Sequence, residues 1–108
     1  MPKLKFKFKI TLIQGMRVTT FRINSKRLKN SEIEAFQSPS NPNEYEGEIE
    51  TICIKDTVIV SVWGVGIPFL QGSFNITQNG NKLFSEDQKL SVKSKGRFRF
   101  YKVEVKLP

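Results

Sequence analysis

Across residues 3–12 the side chains alternate without a break: Leu4, Phe6, Phe8, Ile10 and Leu12 share one parity, and Lys3, Lys5, Lys7, Lys9 and Thr11 share the other. A β-strand sends successive side chains to opposite faces, so this stretch predicts a strand with a dry side and a cationic side. A helix would scatter both sets around its circumference. The strand sets the class of the fold, an antiparallel sheet covered on one face and wet on the other.

The same reading continues along the chain. Gln14-Gly15 predicts a turn, and Met16, Val18, Phe21 and Ile23 a second strand whose parity slips between Val18 and Phe21, as a β-bulge would make it. Residues 24–30 are polar and basic and read as a solvated loop. Residues 31–36 fit either a brief edge strand or one helical turn, and the strand is the expectation, although Ser31 and Glu34 have the spacing of a capping box. Residues 38–43, with two prolines, form a loop. Residues 45–55 predict a strand with Glu46, Glu48 and Glu50 on one face, an irregularity near Thr51, and Ile52 and Ile54 continuing the glutamate parity. After a turn at Asp56-Thr57, residues 58–65 are uncharged and largely β-branched, as expected of a central strand covered on both sides, with Trp63 in the core or at its rim. Asn79-Gly80 is a type I′ turn signal that predicts a hairpin of residues 73–78 with residues 81–84. Residues 89–93 make a short strand, Gly96 marks a turn, and residues 98–107 close the sheet with a parity slip at Phe100-Tyr101.

Seven or eight short strands separated by turn signals predict an all-β fold, a small two-sheet antiparallel β-sandwich. The alternative is a five-stranded barrel of the oligonucleotide-binding kind. A chain of 108 residues is one domain, long enough to bury a core without disulfides or metals. Cys53, the single cysteine, sits between Ile52 and Ile54 as a small buried thiol, which fits a reducing, cytoplasmic compartment. Strand alternation from Lys3 onward leaves no secretory signal core. The longest apolar-leaning stretch, residues 57–70, is too short for a bilayer and is broken by Gly64, Gly66 and Pro68.

Charge is the most uneven property of the chain. Residues 1–30 carry +9 with no acid, residues 31–60 carry −6, residues 61–81 carry none and residues 82–108 carry +5. Such asymmetry means either a polyanionic partner or basic and acidic strands lying side by side. The lysines of residues 3–9 and the row Glu46, Glu48, Glu50 both repeat every second residue, as cross-strand ion pairs do.

Catalysis is disfavoured by composition. The chain has no histidine, which removes the usual general base, the common triads and the commonest zinc ligand. Cys53 lacks an imidazole partner, and two aspartates do not make a calcium site. Gly64-Val65-Gly66 lacks the third glycine and the helix of a phosphate loop and reads as glycines turning the end of a strand. No cofactor or metal is expected. The residues fit a non-enzymatic intracellular binding module acting through protein–protein contacts, in an adaptor, assembly or inhibitor role. Ile67, Phe69 and Leu70, in the apolar loop of residues 64–72, are its candidate contact residues. The alternative is a polyanion-binding module, for single-stranded nucleic acid ahead of an anionic membrane surface. It would use Lys3, Lys5, Lys7, Lys9, Arg97, Arg99 and Lys102 as one continuous basic face, with the neighbouring aromatics stacking on bases. An exposed edge strand would also allow two copies to pair.

Overall fold

The computed structural model describes residues 3–53, 56–84 and 86–104. The alternation at the start of the chain forms β1 (Lys3–Thr11), in which Phe6, Phe8 and Ile10 are fully buried. There follow β2 (Met16–Ile23), β3 (Lys26–Lys29), a single helical turn α1 (Asn30–Ile33) continued by a 3-10 turn (Glu34–Phe36), β4 (Glu44–Ile52) and β5 (Val58–Gly66). The chain goes on through β6 (Gln71–Gln78), β7 (Asn81–Lys82), β8 (Gln88–Ser91) and β9 (Arg97–Glu104).

These strands form two antiparallel sheets, as the sandwich reading requires, and among the described residues no barrel closes. The first has the order β4-β1-β6-β7, with β8 also on β6; the second has the order β3-β2-β5-β9. Their inner faces share one core. Phe8 of the first sheet meets Phe21 of the second with ring centroids 4.8 Å apart. Phe74 of β6 meets Phe100 of β9 at 4.8 Å, and Phe84 lies 5.9 Å from each. Phe36 closes one side: its ring stands edge-on to Phe8 at 5.2 Å and lies where a β-carbon on Gly47 would be. Gly47 is therefore the gap in β4 that admits this ring. Among the described residues no helix is long and apolar enough to cross a membrane.

Several local expectations hold. The register of β2 against β5 shifts between Val18 and Thr20, which is the expected bulge. Asn79 and Gly80 both have positive φ, 52° and 78°, as a type I′ turn demands, although β7 ends at Lys82, earlier than expected.

Others are corrected. Residues 24–30 are not a solvated loop: Asn24 and Ser25 turn the chain into β3, and Asn24, at φ 52°, is buried. Residues 31–36 are helical, and the acid that takes the main-chain N–H at the start of the turn is Glu32, from Lys29 at 3.4 Å. The register of β4 on β1 runs unbroken from Ile52 to Glu44, so Thr51 marks no irregularity. Its side chain points inward, with the Ser25 hydroxyl at 3.2 Å. β9 likewise runs in unbroken register with β5; Phe98 and Phe100 face in and Tyr101 faces out. β5 is central but not covered on both sides, because Trp63 and Val65 are exposed. Gly64 lies within β5 rather than ending it, and the Phe98 ring occupies the space beside it. The expectations for Ile54, Lys55 and residues 105–107 lie outside the described residues.

Asn24 ties the sheets together. Its Oδ1 accepts the Ile59 N–H of the second sheet at 2.7 Å, and its Nδ2 donates to the Ile52 carbonyl of the first at 3.2 Å. Asn24→Gly keeps a residue tolerant of positive φ but strands both groups, and it should cost about 1–3 kcal/mol. Asn24→Ala should cost ~1–2 kcal/mol more, for placing an alanine in the left-handed region. Urea unfolding of the three proteins checks both the order and the gap.

Candidate functional site

The outer face of the first sheet holds the lysine row, and the register of β1 against β4 decides its surroundings. Lys5 stands opposite Glu50, Lys7 opposite Glu48 and Lys9 opposite Glu46. Lys5 Nζ also reaches Glu48 Oε1 diagonally at 4.0 Å. On the far side of the sheet, Lys82 Nζ lies 3.0 Å from Asp87 Oδ1, which also accepts from Asn75 Nδ2 at 3.2 Å. These two hydrogen bonds, that of Lys82 first, hold the Asp87 carboxyl below the usual carboxylate range. Lys5, Lys7, Glu48, Thr77, Asn79 and Gly80 line a shallow polar depression. The lysine row is thus flanked by glutamates on its β4 side and by the neutral Asn75 and Thr77 on its β6 side.

The outer face of the second sheet is different. Three rows cross β2, β5 and β9: Arg17, Val65 and Arg97; Thr20, Trp63 and Arg99; Arg22, Ser61 and Tyr101. β3 extends the last two rows with Lys29 beside Thr20 and Arg27 beside Arg22. The bulge builds this arrangement, because Arg17 and Arg22 differ in parity and only an extra residue between them points both outward. Within the bulge, the Thr19 hydroxyl donates to the Trp63 carbonyl at 3.2 Å. The Arg99 guanidinium lies 4.8 Å from the Trp63 ring centroid and 6.0 Å from that of Tyr101. Arg22 donates its Nε to the Asn24 carbonyl, which fixes the base of its side chain. Six cations thus share a face on which no described strand residue is acidic; Glu32 and Glu34 belong to the helical turn on the β3 flank.

The seven cations expected on one face are therefore divided. Lys3, Lys5, Lys7 and Lys9 lie on the first sheet, while Arg97 and Arg99 lie on the outer face of the second. Lys102 shares the inward parity of Phe100 and sits at the rim, its Nζ 5.2 Å from the Phe84 ring centroid. Tyr101 is among the aromatics expected beside these cations, whereas Arg17, Arg22, Arg27, Lys29 and Trp63 join the face only through the strand pairing. One signal was available: Val58, Val60 and Val62 share a parity, and Ser61 falls on the other with Trp63 and Val65.

At one pole of the sandwich, Ile13, Ile67 and Phe69 are exposed, Phe69 by 83% and Ile67 by 60%, whereas Leu70 packs against the core. The loop is held in place by its main chain: Ile67 N–H donates to Gly15 at 3.0 Å and Phe69 N–H to Val92 at 2.9 Å. Phe69 has φ 73°, a left-handed conformation that a bulky residue adopts only under constraint.

Cys53 is buried, and its thiol donates to the Thr57 carbonyl at 3.2 Å. Burial, with the Asp56 carboxylate second, pushes the thiol pKa up, which disfavours the nucleophilic thiolate. Burial and the charge of Glu34 likewise raise the Tyr45 phenol. Among the described residues, no three His, Cys, Asp or Glu side chains converge on a common point. Comparison with protein-family models, with curated proteins and with solved structures finds no match.

The cross-strand register makes a measurable prediction. In a double-mutant cycle of Lys7→Ala and Glu48→Ala, followed by denaturant unfolding, the coupling should be favourable by ~0.2–1 kcal/mol at low salt. It should shrink as salt is added.

Proposed function

We propose that the chain is a non-enzymatic binding module whose principal ligand is a polyanion held on the outer face of the second sheet. One observation carries this reading: the acids of β4 lie against the lysines of β1, while six cations on β2, β3 and β9 share a face on which no described strand residue is acidic. A sheet presenting one sign of charge raises the local concentration of an oppositely charged chain, and binding then releases counterions. The missing histidine, the buried thiol and its raised pKa support a role without catalysis.

A second reading, protein contact, has its own support in Phe69. An aromatic ring exposed by 83% on a left-handed residue is costly to keep unless it meets something apolar. Ile67 and Ile13 would complete that contact, with Leu70 as its partly buried footing. For a second copy of this chain as the occupant, sedimentation should show concentration-dependent association that Phe69→Asn abolishes, asparagine being tolerant of the left-handed region. A monomer at every concentration removes that occupant. Pairing through the β4 edge is disfavoured, since it would set Glu46, Glu48 and Glu50 against the same row of the other copy.

The polyanion reading is tested with fluorescently labelled inorganic polyphosphate, titrated at several salt concentrations. Affinity should fall steeply with salt. A triple variant, Arg17→Gln, Arg27→Gln and Arg97→Gln, should flatten the logarithmic salt dependence by about 2, near 0.7–0.9 per lost phosphate contact. A quadruple variant, Lys3→Gln, Lys5→Gln, Lys7→Gln and Lys9→Gln, should change it much less. The reverse ranking would move the site to the first sheet and overturn this assignment.

A further inference from the structure

Trp63 and Tyr101 are more than a plain cationic face requires. Phosphate tracking needs only ammonium and guanidinium groups, yet two aromatic rings stand among the arginines, exposed by 41% and 54%. Apolar rings on a wet sheet face gain nothing from water, so their presence points to a ligand with faces of its own. The Arg99 guanidinium lies 4.8 Å from the centroid of the Trp63 ring and 6.0 Å from that of the Tyr101 ring. A guanidinium lying along a ring still directs its edge N–H groups outward, where they fit a phosphate in a two-bond fork. We propose that this face binds single-stranded nucleic acid, with unpaired bases stacked on Trp63 and Tyr101 and backbone phosphates held by Arg99 and the neighbouring arginines. The inference rests on the polyanion reading above and adds the class of polyanion.

The spacing of the face supports it. Successive rows along a strand stand about 7 Å apart. A chain crossing them meets Arg17 and Arg97 in one row, Trp63 and Arg99 in the next, and Tyr101 and Arg22 in the third. Each ring therefore has an arginine in its own row and in the next, the closeness of base to phosphate in an extended single strand. A duplex keeps its base faces stacked inside and has no use for the rings. A polyanion without bases would use the arginines alone.

Trp63 is the single tryptophan of the chain, so its emission reads this site directly. We would titrate the full chain at low salt with a short oligothymidylate, with a duplex of the same length and with inorganic polyphosphate of matched charge. The oligothymidylate should quench Trp63 emission and bind about tenfold more tightly per engaged ring than polyphosphate. Tyr101→Leu should lose about tenfold in oligothymidylate affinity while keeping its polyphosphate affinity, which also shows that the variant is folded. Equal affinity for all three ligands with unchanged emission overturns stacking and leaves the polyanion reading standing. Preference for the duplex overturns it in favour of backbone recognition. Failure of all three to bind overturns both readings together.

Discussion

In the pair formed by β1 and β4, Phe6 faces Ile49 on the inside and Lys7 faces Glu48 on the outside, and neither set can move without the other. A slip of one residue would turn the lysines toward the core and the phenylalanines toward water. Burying even one unpaired ammonium costs several kcal/mol by the usual reckoning, far more than any outer pair contributes. The apolar face therefore supplies most of the energy, and the charges reinforce the register that it selects. With Glu46, Glu48 and Glu50 set against lysines on the first sheet, no described strand residue on the outer face of the second is an acid that could pair with the cations of β2, β3 and β9.

The second sheet uses its own irregularity to the same end. Were β2 regular, Arg17 and Arg22 would point to opposite faces, and one would enter the core beside Phe21. The bulge removes that conflict, and the Thr19 hydroxyl ties it to the Trp63 carbonyl. On β9, Phe98 and Phe100 fill the inner side, which leaves Arg97, Arg99 and Tyr101 outside on consecutive rows. One strand thus serves both the core and the basic face, each on its own parity.

The sandwich itself was legible in the chain because strict alternation, a parity slip in β2 and an Asn-Gly turn are local signals. Irregularities expected at Thr51 and at Phe100-Tyr101 were artefacts of reading polarity as direction. Thr51 points inward because the Ser25 hydroxyl meets it, and Lys102 keeps the inward parity at the rim because its long stem reaches past the Phe84 ring. The turn at Asn24 was hidden for a similar reason: its polar side chain looks solvated but is consumed by two main-chain partners on different sheets. The facing of lysines by glutamates could be suspected from their common period. The division of Lys3–Lys9 from Arg97 and Arg99 could not, since it depends on which strands share a sheet.

The pairing of β1 with β4 also joins segments far apart in sequence, a connection that loop-closure entropy makes slow to form. During synthesis, β1 emerges long before its partner and carries a row of phenylalanine and isoleucine that would otherwise add readily to strands of neighbouring chains. The lysines on its opposite side repel those neighbours while the glutamates are still missing. Residues that fix register in the finished sheet thus act earlier as guards against aggregation of the nascent chain.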